Sequence, residues 1–187
     1  MIDFKVIPEC YIDTKLIKVL VPPQNHYNHQ KGCSNVVKVM KEKLAGDFAL
    51  GIIDRDKVEL GYASEFDLAT ELTGVLQLCK HRTRNHYLIF IEPAIEKWII
   101  RNADDAGISL INFGLPHDFD SLRKLTKTSK SENNDPFSFH FQKLFKELKR
   151  QSPKGISILS FWINYLKANQ YNANLQYLID ETNRLNQ

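Results

Sequence analysis

Phe48-Ala-Leu-Gly-Ile-Ile-Asp54 is an apolar run that stops at a carboxylate, and Arg55-Asp56-Lys57 sets a second carboxylate one residue beyond it. A short run rich in Ile and Phe, introduced by Gly46-Asp47 and closed by charge, predicts a strand buried on both faces. Such a strand requires a sheet covered by helices, which confines the chain to an α/β architecture. Asp54 and Asp56 then stand where the strand leaves the sheet, the edge at which open α/β sheets bind ligands. Side chains at i and i+2 of an extended segment point the same way, so the two carboxylates share one target. Like charges so placed repel unless a cation lies between them, and a hard divalent cation such as Mg²⁺ suits oxygen ligands. The ordinary alternative is a pair of turn formers or helix caps, roles for which Asp is well suited.

A chain of 187 residues, 43% hydrophobic, has enough apolar material for one α/β core with a helical extension. No apolar run approaches the ~20 residues of a membrane span, and Met1-Ile-Asp-Phe-Lys lacks the pattern of a signal peptide. A cytoplasmic protein with no membrane partner is the expectation. Cys10, Cys33 and Cys79 are too few and too scattered for a disulfide framework. The net charge of +3 permits a polyanionic partner, so the placement of charge matters more than its sum.

Taken in order, Ile2 to Pro8 predicts a first strand, with Glu9 at its exit. A helix from Asp13 to Val21 follows, with Asp13 as its N-cap, and Pro22-Pro23 stops it. Residues Gln24 to Lys31 predict a loop with a short edge strand. Ser34 caps a second helix whose apolar stripe is Val36, Val37, Met40 and Leu44. Beyond the central strand, Glu65 to Leu72 predicts a short helix. Val75 to Lys80 and His86 to Ile91 predict two strands joined by a basic turn, His81-Arg-Thr-Arg-Asn85. Pro93 and Gly107 bracket a helix from about Ala94 to Ala106, with Glu92 and Glu96 one turn apart at its start. After Gly114 the composition turns to Phe, Leu and Lys: helices are expected over Asp118 to Thr128, Pro136 to Arg150, Ile156 to Ala168 and Asn174 to Leu185, with a polar linker from Ser129 to Asp135. The domain reading is a catalytic unit over 1–113 and a helical extension over 114–187 packed on it.

The acids therefore follow a pattern: strand, Glu9, helix; helix, strand, Asp54-x-Asp56; strand, then Glu92 or Glu96 at a helix start. In this the chain resembles the Toprim domain, whose pattern is a Glu after the first strand and an Asp-x-Asp after a later one. It is most similar to the OLD-type, defence-associated Toprim nucleases, which carry a further acid in a segment like Ile91-Glu-Pro-Ala-Ile-Glu96-Lys-Trp98. The resemblance covers roughly residues 1 to 107. It departs from the family at Cys10, where Toprim domains usually have Gly.

The resemblance implies a mostly parallel Toprim-like sheet flanked by helices, and a Mg²⁺- or Mn²⁺-dependent nuclease acting on DNA or RNA. Asp54 and Asp56 would be metal ligands, Glu9 a ligand or general base, and Glu96 the residue closing a second metal site, with Glu92 as its alternative. The resemblance implies a role in phage defence with a partner ATPase too, and since Gly-x-x-x-x-Gly-Lys-Ser/Thr occurs nowhere in the chain, that partner would be a separate protein. Lys57 and the basic turn residues Lys80, Arg82 and Arg84 are the candidate phosphate contacts, a cationic finger beside the acidic edge. The plain alternative for each is a solvated charge. His26, His29, Cys33 and Cys10 have the residue types of a zinc site without a second tight pair. The competing reading of the whole chain is a non-catalytic nucleic-acid- or protein-binding module on the same scaffold, and convergence of Glu9, Asp54, Asp56 and Glu96 distinguishes the two. Oligomeric state is left open.

Overall fold

The computed structural model describes residues 2–55, 61–128 and 135–187. Asp56 and Lys57 lie outside the described residues, as does most of the 129–135 linker. The described residues form one mixed five-stranded sheet: β1 (Val6–Pro8), β2 (Ala49–Asp54), β3 (Phe66–Leu72), β4 (Leu76–His81) and β5 (His86–Ile91), in the order β1-β2-β5-β4-β3. The first three strands in that order run parallel, while β4 and β3 are antiparallel to their neighbours. The helices are α1 (Tyr11–Leu20), α2 (Cys33–Lys38, continued by a π turn over Val39–Lys43), α3 (Ile95–Asp105), α4 (Phe119–Thr128), α5 (Ser138–Gln151), α6 (Lys154–Asn169) and α7 (Leu175–Asn186).

The central strand is covered on both sides, as its continuous apolar run requires. Phe48, Leu50 and Ile52 join a core built with α1, α3, α5 and α6, whereas Ala49 and Ile53 face Val36 and Met40 of the α2 segment. Gly51 lies under that segment. A Cβ there would stand 2.6 Å from Leu88 Cδ2 and 2.9 Å from Met40 Sδ, so a side chain would have to displace the Leu88 and Met40 side chains. Beside β1, the N–H of Asn28 donates to Val6 O and that of Gln30 to Pro8 O, both at 3.0 Å. The constant offset means that residues 27–30 run parallel to β1 as an extended edge ribbon.

The extension shares the larger core. Phe141, Phe145 and Leu148 of α5, Trp162 and Ile163 of α6, and Leu178 of α7 belong to the same buried cluster as Val6, Leu50 and Ile89. Trp162 is fully buried and its indole N–H donates to Thr182 Oγ1 at 2.8 Å, so truncation to Ala would cost about 3–5 kcal/mol. Lys167 on α6 reaches the buried Asp3 carboxylate at 2.7 Å. Burial pushes the Asp3 acid up, but Lys167 and the backbone N–H groups of Asn25 and Gln24 outweigh it and hold the carboxyl below its ordinary value.

Several local expectations are corrected. Residues Phe66–Leu72 are a strand, not a helix: they pair antiparallel with β4 from Phe66 opposite His81 to Leu72 opposite Leu76, through a turn whose Gly74 has φ +69°. Pairing with β4 overrides the helix-forming Glu65, Leu68, Ala69 and Glu71. The α1 cap is Cys10, not Asp13: Cys10 Sγ accepts from the Asp13 N–H at 3.4 Å, while Asp13 Oδ2 accepts from the Cys10 N–H at 3.0 Å, a reciprocal capping box. Cys10 has φ −135°, so this position does not need a glycine. Helix α2 begins at Cys33 after Gly32, and Ser34 is inside it. Pro93 precedes α3 in a cis peptide with Glu92 instead of opening the helix.

Candidate functional site

Each acid at the carboxyl edge is delivered by the end of a regular element. Glu9 follows β1, and its N–H donates to Ile52 O at 3.0 Å, fixing the backbone against β2. Its carboxylate oxygen Oε2 accepts from the Asp54 N–H at 3.0 Å. Asp54 ends β2, and its Oδ1 accepts from the Ile95 N–H at 3.0 Å, capping α3 from a different element. This replaces the missing side-chain cap of α3, since Ala94 at the N-cap has no acceptor to offer. Glu96, in the first turn of α3, accepts from the Thr126 hydroxyl on α4. One run of hydrogen bonds thus joins β1, β2, α3 and α4.

These acids open onto a cleft of about 200 Å³. Glu9, Asp54 and Glu96 are only 3%, 2% and 7% exposed, yet all three line it. Part of the remaining wall is Tyr11 and His29, stacked with ring centroids 4.1 Å apart and planes 20° from parallel. The Thr14 hydroxyl donates to Cys10 O at 2.8 Å, so its oxygen receives the His29 Nδ1 proton at 3.1 Å. Cys10 also lines the cleft; burial, with Asp13 and Asp54 nearby, pushes its thiol well above the ordinary value. A group kept as a neutral thiol is a poor nucleophile.

The structure therefore brings together Glu9, Asp54 and Glu96, and not Glu92, which is absent from the cleft lining. It also moves the cations. In β5, parallel to β2, His86 pairs with Ala49 and Ile91 with Asp54, so the turn before His86 sits at the opposite edge of the sheet. Five residues of strand, about 17 Å, separate it from the acids. There the expected contacts are otherwise engaged: Lys80 donates to the carbonyls of His81 and Arg84, Arg82 forms a forked pair with Asp67 at 2.9–3.3 Å, and Arg84 donates to Lys41 O at 3.1 Å. The cationic finger is not beside the acidic edge.

The cations that do line the cleft are Lys31, Arg123 and Lys127. Sequence reading passed over them because charge on an amphipathic helix ordinarily marks its wet face. The available signal was the i, i+3, i+4 spacing of Arg123, Thr126 and Lys127, which puts a hydroxyl between two cations on one face of α4.

The donor set fits a hard divalent cation in type: carboxylates only, each oriented by a hydrogen bond to one of its oxygens, as outer hydrogen-bond partners orient metal ligands. In number it is incomplete as it stands, for among the described residues no three His, Cys, Asp or Glu side chains form a group able to hold an ion. The same holds for the His26, His29, Cys33 and Cys10 candidate. Asp56, the remaining expected ligand, lies outside the described residues. No protein-family model, curated protein or solved structure matches the chain.

Proposed function

We propose that the protein is a metal-dependent nuclease that hydrolyses phosphodiesters in DNA or RNA. The observation that carries this reading is the convergence of Glu9, Asp54 and Glu96, from three elements, on one cleft at the carboxyl edge of the parallel strands. Glu9 and Asp54, with Asp56, are the residues that would hold Mg²⁺ or Mn²⁺, and Glu96 would complete a second position. Such an ion polarises a phosphoryl oxygen and lowers the pKa of a bound water. The chain itself does the positioning. The N–H of Asp54 holds Glu9, the N–H of Ile95 holds Asp54, and Thr126 holds Glu96, so each carboxylate is set before substrate arrives. In this reading Glu9 is either a ligand or the base that takes the proton from the attacking water.

The test is incubation of the purified protein with end-labelled DNA and RNA in Mg²⁺, Mn²⁺ or EDTA. Cleavage is expected with either metal and not with EDTA, and Glu9→Gln should abolish it. A second reading, the non-catalytic binding module, draws on the incomplete ligand group among the described residues. Wild-type protein that cleaves neither polymer with either metal, and whose melting midpoint ignores both ions, would establish the module in place of the nuclease.

A further inference from the structure

The C-terminal extension does more than cover the sheet, because one face of α4 forms a wall of the acidic cleft. Leu122 is fully buried, Asp118 Oδ1 accepts from the Ser121 N–H at 2.8 Å, and the Phe119 ring lies under both Lys97 (4.9 Å) and Arg123 (5.6 Å). These contacts fix the rotation of the helix. Arg123, Thr126 and Lys127 then point into the cleft, while Lys124 is exposed and does not line it. Across the opening stands Lys31, next to the stacked Tyr11–His29 pair. Acids make the floor and three cations the rim.

Cations on the rim of an anionic floor offer a contact to a ligand that carries negative charge of its own. No salt bridge joins Arg123, Lys127 or Lys31 to Glu9, Asp54 or Glu96 among the described residues, so the rim cations are not tied up in ion pairs with these three acids. We infer that Arg123 and Lys127 of α4, with Lys31 opposite, grip the phosphates of a single-stranded nucleic acid whose base stacks on the Tyr11–His29 wall. The inference rests on the nuclease reading for what happens next, but not for binding. Arginine and lysine are the side chains that hold phosphate oxygens, and an aromatic face accepts any unpaired base. The extension thus supplies what the basic turn at the far edge of the sheet does not.

The test is binding of a fluorescein-labelled single-stranded oligodeoxynucleotide, about twenty nucleotides long, followed by anisotropy with Ca²⁺ in place of Mg²⁺ across a range of salt. Replacing Arg123→Gln together with Lys127→Gln should weaken binding by about thirtyfold at low salt and flatten the plot of log affinity against log salt by about 1.4, near 0.7 for each lost phosphate contact. Lys124→Gln, on the outer face of the same helix, should change affinity by less than about twofold, as a surface charge away from the contact does. Lys31→Gln, a single exposed replacement on the opposite rim, gives the same readout should the double variant fail to fold. Wild type that does not bind the probe, or Arg123/Lys127 and Lys31 variants that bind as wild type does, would overturn the inference. A wild type that binds with these signatures but never cleaves sinks the nuclease reading alone. A wild type that cleaves, with rim variants of unchanged affinity and KM, sinks the grip alone.

Discussion

The two edges of the sheet bury polar side chains for opposite ends. At the amino edge, His81 and His86 are nearly inaccessible and every ring nitrogen has a partner: His81 Nδ1 accepts from the Thr83 and Arg84 N–H groups at 3.1 Å and its Nε2 faces Glu65 at 3.2 Å, while His86 Nε2 donates to Leu44 O at 2.9 Å and its Nδ1 accepts the Tyr62 hydroxyl at 2.5 Å. Lys41 and Arg84 stand over the Tyr62 ring at 5.9 and 5.6 Å. That cluster is closed on itself. At the carboxyl edge the acids receive orienting bonds from backbone N–H groups and a hydroxyl, and they face a cavity. A closed network stabilises a fold, whereas an oriented set of acids beside a cleft is a place for a ligand.

The strongest way to break this contrast is Asp54→Asn. Activity should fall about a thousandfold, roughly 4 kcal/mol of barrier, in a metal-dependent cleavage assay. The amide oxygen can still accept from the Ile95 N–H, so the melting midpoint without metal should move by less than the ~1 kcal/mol of a lost cap. The wild-type midpoint should rise with Mg²⁺ or Mn²⁺ and that of the variant should not. A large loss of stability without metal would mean that Asp54 serves chiefly as a cap.

His86→Leu attacks the other edge. It leaves the Tyr62 hydroxyl and Leu44 carbonyl without their ring partner, which should cost about 2–3 kcal/mol and lower the midpoint by roughly 5–10 °C. Turnover of the folded fraction should be unchanged. Activity lost beyond the folded fraction would show that the edges are coupled.

Acid titration comes next. Burial lowers the His81 and His86 pKa values below the ordinary 6.5, against the opposing pull of Glu65 on His81 and of the Leu44 carbonyl on His86. Both rings therefore take up a proton less readily in the fold than in the unfolded chain, which binds more protons once pH falls below about 6.5. Stability from this cluster is full above that value and is lost as pH falls towards the folded pKa values. Thermal melts from about pH 8 to about pH 5 should show the decline, with a shallower slope in His86→Leu. The smallest effect belongs to Arg82→Gln, whose partner Asp67 is exposed: stability should change by less than about 1 kcal/mol, and affinity for the labelled oligonucleotide should not change.

What the sequence made legible is what the backbone period controls. Phe48 to Asp54 reads as a doubly buried strand because every position up to Ile53 is apolar, and the exits at Glu9 and Asp54 follow from where the apolar runs stop. The start of α3 brought Glu96 with it. Less was legible where a tertiary partner decides. β3 is a strand because β4 lies beside it, and its own residues favour a helix. The α4 rim was harder to read, because the spacing of Arg123, Thr126 and Lys127 shows that they share a face and not that this face meets a cleft. The position of the basic turn was recoverable in principle: a strand that exits towards the acids at Ile91 must be entered from the other edge.

The bonded run from Glu9 through Asp54 and Ile95 to Glu96 and Thr126 also sets an order in time. A ribosome releases Glu9 and Asp54 well before Thr126, so a growing chain holds the acids of the cleft before it holds the helix that walls them. The nascent protein passes through synthesis with its cleft unfinished, and the finished cleft appears only when the later helices dock.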